Sequence, residues 1–269
     1  MATVFGYAPD PLTRVETDGS TTDLVEKDYK FSTLLSKLTA VVSDTDIDLS
    51  KYCPDMDQRG LSSCVGNGTA EALDALELVA HENDVGFTPT PVSRLFIYNM
   101  ARTVEGILDL DAGTHIRTGF DVLSRFGSCP EALWPYEESN VFTSPSLKAQ
   151  RAALGHKIHS YYRISSTGPD RINDLIAALR AKHFPVFGTQ VTKAFQALSG
   201  LGPTDTPASD EPIAGGHCMM VCGYIEGNFL VKNSWGPGWG KNGFCLFTPA
   251  YMSWSQTSDI WVPTLGIDW

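Results

Sequence analysis

The chain is predicted to be an α+β protein with segregated lobes, helical in its first half and β-rich in its second. Three observations carry this. Ala72, Leu73, Leu76, Val79 and Ala80 recur at the three- and four-residue steps of one helical face. Residues 185–191 and 217–248 instead hold short apolar runs punctuated by turn residues. The change from one pattern to the other falls near residue 156. At 269 residues, with 42% hydrophobic and 19% charged side chains, the chain can bury a core in one large domain or two lobes.

Residues 1–45 read as an N-terminal extension, with Pro9, Pro11, Gly19 and a polar run over 17–23, and only 31–38 helical. Two readings stand: an extension draped loosely over the domain, or an inhibitory segment lying in a cleft. A folded domain over 46–269 follows, its helical lobe mainly 60–155 and its β lobe mainly 156–262. Residues 48–54 enter it in extended form. The helix from Cys64 ends near 83–86. Pro91 and Ser93 open a second helix from Arg94 to about Arg102. A third spans 116–126 and stops at Gly127, and 145–155 adds a short one. In the second half, 157–164 is β-like, 169–182 is an amphipathic helix and 185–191 is a strand. Gly, Pro, Thr, Ser and Asp make 200–216 a loop. Strands over 217–224, 228–233 and 243–248 complete the order, the first two joined by a hairpin turn at Glu226-Gly227-Asn228.

The net charge of −11 disfavours nucleic acid and anionic membrane as partners, since both would repel the chain. No apolar run approaches the roughly 20 residues that cross a bilayer. The first residues lack the basic start and apolar core of a signal peptide, so the expected compartment is the cytoplasm, or the exterior by a route needing no such signal. Six cysteines in this length suggest mostly free thiols. Cys53 and Cys129, both beside prolines, are the one pair whose bridging stays open, with free thiols favoured. Cys218 and Cys222 lie four apart on one strand face, a poor match to a tetrahedral metal site, so they and Cys245 read as buried packing. No metal and no cofactor is expected.

The chemistry centres on Cys64. A thiol at a helix start faces unpaired N–H groups and the positive end of the dipole, which favour thiolate. A nucleophile also needs a base, and the base an orienting group. Of six histidines, His81, His156, His159 and His183 read as surface or core residues, and His115 lies in a loop that can face a cleft. His217 differs, because Gly215 and Gly216 precede it and permit close approach of a backbone or ligand. Across the predicted hairpin comes Asn233-Ser234-Trp235-Gly236-Pro237-Gly238-Trp239-Gly240. The Asn233 amide can hold the imidazole, and Trp235 can roof that bond.

Gln58-x5-Cys64, Gly215-Gly216-His217 and Asn233-Ser234-Trp235-Gly236, in this order and spacing, resemble the papain-like cysteine peptidases. Residues 94–102, Cys129-Pro130-Glu131, Leu133-Trp134-Pro135-Tyr136 and Asp259-Ile260-Trp261 look like the bacterial branch of that family. The resemblance covers about 46 to the end and implies a two-lobe papain-like fold with the active-site cleft between the lobes. It implies Cys64 as nucleophile, His217 as its imidazolium partner, Asn233 as the residue orienting that ring, and Gln58 with the Cys64 N–H as oxyanion hole. It further implies Gly113 and Thr114 beside the substrate backbone. Ile116, Thr189, Gly215 and Gly216 would lie about the pocket for the second residue before the cleaved bond, and Trp235 on the leaving side. With walls read as small and apolar, that pocket is expected to prefer an aliphatic or aromatic side chain. Three stretches depart from the family: Leu61-Ser62-Ser63 before the nucleophile, Val65 after it, and Gly216 before the histidine. The expected function is a cofactor-free monomeric thiol endopeptidase acting on protein or peptide substrates. A related acyltransferase and a silent binding module are the alternatives. Removing residues 1 to about 44 is expected to raise activity if the inhibitory reading holds.

Overall fold

The computed structural model describes residues 6–7, 13–15, 21–23, 28–35, 46–83 and 88–266. Along the chain, β1 (Thr13–Val15) and β2 (Thr21–Asp23) pair antiparallel, and α1 (Phe31–Leu35) is a short helix; residues 36–38, read as its continuation, lie outside the described residues. β3 (Ile47–Asp48) leads through a 3-10 turn at Ser50–Tyr52 to α2 (Cys64–Glu82), α3 (Arg94–Glu105), α4 (Ile116–Arg125) and α5 (Leu147–Ala153). Then come β4 (Ser160–Ile164), α6 (Gly168–Arg180), β5 (Val186–Thr192), α7 (Lys193–Gln196), β6 (Pro203–Thr204) and β7 (Ile213–Ile225). β8 (Asn228–Lys232), β9 (Phe244–Phe247), α8 (Pro249–Met252) and β10 (Thr257–Thr264) close the order. The large sheet runs β4-β10-β5-β7-β8-β9-β6, with β3 on β7; only the β6–β9 pair is parallel. Helices in the first half and an antiparallel sheet in the second make the α+β class plain.

Local chemistry explains the boundaries. Ser93 caps α3 by accepting from the Phe96 N–H at 3.0 Å, and Gly106 ends it in the left-handed region. Glu226 and Gly227 both have positive φ, the twist a tight β7–β8 hairpin needs. β10 carries no alternating pattern that announces a strand; its residues 259–264 are buried, between β4 and β5. β7 starts four residues earlier than the 217 expected, because Ile213 to Gly216 are drawn into pairing with β5.

The helix α2 departs from a one-faced reading. Sixteen of its residues are buried, including Glu71, Asp74 and Glu77. Gly66 lets α3 cross it closely, since a Cβ there would sit 2.7 Å from the Arg94 carbonyl oxygen and 2.8 Å from Tyr98 Cβ. Burial pushes the Asp74 carboxyl up to about 8, offset in part by the Val92 N–H that it accepts at 3.0 Å. The folded state thus holds this group protonated, while the unfolded chain ionises near pH 3.9. Its contribution to stability is full below that pH and is lost as pH rises toward 8. Asp74→Asn keeps the acceptor and removes the charge. It is expected to raise Tm at pH 7 by several degrees and leave it unchanged near pH 4, measured by thermal melts at both.

The N-terminal region is partly built into the domain. Phe31 and Leu34 are buried. The Asp28 carboxylate accepts from Arg117 Nη2 at 2.6 Å and from Arg163 Nη1 at 3.3 Å, and both guanidinium groups lie over the Trp261 ring. Deleting residues 1–44 therefore removes a core phenylalanine and a buried ion pair together with any cleft-covering residues. All six cysteines are free. The Cys53 thiol faces Cys222, whereas Cys129 packs with Phe96, Ala149 and Ala153 in another cluster, so the two are not a pair.

Candidate active site

The two lobes meet where α2 packs on β7. Cys64 is the first residue of α2 and fully buried. Ser63 before it does not cap the helix; its Oγ lies 2.5 Å from the Tyr136 hydroxyl and 3.0 Å from Asn67 Nδ2. The altered approach is thus wired by hydroxyls. Leu61 packs with Leu95, Tyr98, Tyr136 and Val141, and Val65 is wholly buried, 3.1 Å from where a Gly119 Cβ would stand.

β7 delivers His217 beside Thr189 of β5. The imidazole Nε2 is 2.7 Å from Asn233 Oδ1, and that oxygen also accepts the Ser234 N–H at 2.8 Å, which fixes the amide. Trp235 stacks on the imidazole with ring centroids 4.4 Å apart and planes 25° apart. Phe195 and Trp239 pack behind Trp235 in turn. Gln58 is 1% exposed. Its Oε1 accepts from Ser234 Oγ at 2.8 Å, its Nε2 donates to the Leu61 carbonyl at 3.0 Å, and its own carbonyl accepts from Tyr136 at 2.8 Å. With Oε1 engaged, the amide presents its N–H side toward the loop that leads to Cys64.

Burial governs the titration here. It pushes the Cys64 thiol up to about 11, against the pull of backbone N–H groups of Cys218, Gly6, Val65 and Cys64 itself. It pulls His217 down to about 4, against the Asn233 hydrogen bond. Both shifts run toward the neutral thiol and the neutral imidazole, against the ion pair that a helix-start cysteine suggests.

Gly6 and Tyr7 supply the cover. The Thr114 N–H donates to the Gly6 carbonyl at 3.0 Å and the Tyr7 N–H to the Gly216 carbonyl at 3.4 Å. A Cβ on Gly6 would fall 1.6 Å from the Ser62 carbonyl oxygen, and one on Gly113 (φ +82°) 2.0 Å from the Gly6 oxygen. A Cβ on Gly216 would lie 2.7 Å from the Tyr7 oxygen, so the departure at this position makes room for the segment. The Tyr7 ring lies against Gly188, and its hydroxyl donates to Asp259 Oδ2 at 2.6 Å, with Ser258 Oγ at 3.3 Å.

Gly113, Thr114 and Gly216 therefore touch the N-terminal residues. Thr189 is buried one residue from Gly188, its hydroxyl 2.8 Å from that of Thr257. Ile116 begins α4 in the core, and Gly215 pairs with Val191 one step up the strand. The Tyr7 side chain ends at polar groups, Ser258 and Asp259. Gly6, Tyr7, Gly188, Ser258 and Asp259 were not among the residues that sequence reasoning selected. The only signal was the Asp259-Ile260-Trp261 run, which carried no role. His115 pairs with Glu105 at 2.9 Å, and His156 with Glu77 at 2.9 Å.

Cys64 at the start of a helix and an Asn-held histidine on the sheet packed against that helix are the arrangement at the centre of this candidate site. Residues 111–258 match the model of the papain family cysteine protease, a span that holds His217 and Asn233 and begins after Cys64. The chain is 34% identical over 245 residues to an uncharacterized peptidase C1-like protein of Acanthamoeba polyphaga mimivirus, covering 84% of this chain and 78% of that one. It is similar in structure to xylellain, a cysteine protease from Xylella fastidiosa, with a TM-score of 0.79, 26% identity and coverage of 97% and 95%. The fold is shared also with digestive procathepsin L2 proteinase from Tenebrio molitor larval midgut, at a TM-score of 0.69, 20% identity and coverage of 91% and 76%. The chain belongs to the papain family of cysteine proteases. Its enzymatic class is thiol protease, a hydrolase, and its fold is the papain-like two-lobe fold.

Proposed function

We propose that this protein is a cysteine endopeptidase working through a thioester acyl-enzyme at Cys64 and restrained by its own N-terminal residues. The observation that carries the reading is Gly6–Tyr7 lying across the nucleophile, hydrogen-bonded to Thr114 and Gly216. With the cover lifted, water and peptide replace it. The desolvation that keeps Cys64 and His217 neutral then weakens, and proton transfer from thiol to imidazole becomes favourable. Cys64 Sγ attacks the scissile carbonyl carbon. The oxygen that gains charge is held by the Cys64 N–H and by the Gln58 amide, whose orientation Ser234 fixes. His217, aligned by Asn233 and shielded by Trp235, gives its proton to the leaving amine. Water then attacks the thioester, returning its proton to His217 and releasing the acid.

The test compares the full chain with a chain lacking residues 1–20, a cut that spares Asp28 and Phe31. Both are treated with an epoxide affinity label and assayed for hydrolysis of small peptides, with and without an added amine. The expected result is faster labelling of Cys64 and faster hydrolysis after the cut. Labelling with no turnover would point to a silent binding module, and dominant amide formation with the added amine to an acyltransferase. No gain from the cut, with the fold intact by circular dichroism, would end the restraint idea.

A further inference from the structure

The pocket filled by Tyr7 carries information about what an external peptide must offer. Three strands build it: Gly188 on β5, Gly216 on β7, and Ser258 with Asp259 on β10. Gly188 and Gly216 leave flat walls for a planar ring; a Cβ on Gly188 would come within 2.1 Å of Tyr7 Cζ. Asp259 sits where the β10 register shifts between Ser258 and Trp261, and its φ is +49°. Such a bulge re-aims a side chain. Here it brings the carboxylate to the tyrosine hydroxyl.

Asp259 is 5% exposed, and its two oxygens are divided. Oδ1 accepts from Arg163 Nη2 at 3.1 Å, while Oδ2 accepts from the Tyr7 hydroxyl at 2.6 Å. The carboxylate charge is thus already matched from behind, and a second cation from the pocket side would stand against the first. A phenyl ring would leave Oδ2 and Ser258 facing carbon in a site with little water, and an aliphatic chain would also leave the ring space unfilled. A neutral hydroxyl on an aromatic ring satisfies every constraint.

We propose that Asp259, supported by Arg163 and Ser258, makes this pocket select a tyrosine side chain of the peptide substrate. Tyr7 then occupies the place that a substrate tyrosine takes. The proposal rests on the peptidase reading for its consequence but is tested without turnover.

In the full chain and in its Gly6→Val variant, short peptide amides bearing Tyr, Phe, Leu or Lys at the pocket position are scored by how well they protect Cys64 from an epoxide. The Tyr peptide is expected to protect at concentrations at least about tenfold below the Phe peptide, with Leu and Lys weaker still. Asp259→Gly suits the left-handed backbone and is expected to erase the Tyr-over-Phe difference. Tyr7→Phe, which removes the hydroxyl that Asp259 accepts from, is expected to speed epoxide labelling of Cys64 severalfold. Equal protection by Phe or Leu, best protection by Lys, a Tyr preference that survives Asp259→Gly, or unchanged labelling in Tyr7→Phe would each overturn the proposal. Protection by Tyr peptides without cleavage would leave it standing while the peptidase reading falls. Cleavage without a Tyr preference would do the reverse.

Discussion

Cys64→Ala is expected to abolish peptide hydrolysis, lowering kcat/KM by roughly ten-thousand-fold or more, with the fold intact. The substitution removes one sulfur from the start of α2 and leaves the helix N–H groups, His217 and Asn233 in place. Alanine is a strong helix former, so circular dichroism and Tm should hold. A residual rate above about a tenth of wild type would move the chemistry to another group, with Cys218, packed beside α2, as the first suspect. Gln58→Ala gives a graded companion result. It retains the nucleophile and loses one oxyanion donor, a change that typically lowers kcat by a hundred- to thousand-fold. Labelling of Cys64 by a simple alkylating reagent should survive it, which separates loss of transition-state stabilisation from loss of the thiol.

Gly6→Val has the opposite sign. No side chain fits 1.6 Å from the Ser62 carbonyl oxygen, so the segment must lift, and hydrolysis of small peptides by the full chain is expected to rise about tenfold or more. The hold being broken is modest. Two backbone hydrogen bonds and the Tyr7–Asp259 bond contribute about 1–3 kcal/mol each, and burying the ring about 2 kcal/mol, before the entropy of ordering the segment is subtracted. Losing about 1.4 kcal/mol of that net hold opens the cleft tenfold more often. The pH profile of alkylation reports the same event. In the covered chain, thiolate grows only toward pH 11, whereas the opened variant should react well at neutral pH. An intact Gly6→Val protein with unchanged turnover and an unchanged alkylation profile would make Gly6–Tyr7 a structural strut.

The two-lobe fold and the candidate site residues were legible because their signals are local. Cys64 heads a run with helical periodicity, His217 opens an apolar strand after two glycines, and Asn233 begins a Trp- and Gly-rich turn. The Glu226-Gly227 hairpin was legible for the same reason, since turn chemistry is written in adjacent residues. β10 was not, because a buried strand lacks alternation and its pairing partners lie far away in sequence. The apolar periodicity of α2 marked one buried face, yet α3, α4 and the sheet pack against the helix so that Glu71, Asp74 and Glu77 are buried too.

By itself the sequence determined the family, the enzyme class, and the helix and strand that carry the candidate residues. Each of those depends on a residue type and its near neighbours. Only the tertiary structure decided that Cys64 and His217 are fully buried, that Gly6 packs against Ser62 and Tyr7 against Gly188 and Gly216, and that the Tyr7 hydroxyl meets Asp259. The Tyr7–Asp259 bond joins residues 252 positions apart, and the carboxylate reaches it through a backbone bulge with positive φ. Desolvation and long-range contact arise only when the chain closes on itself, and no spacing along the sequence encodes them.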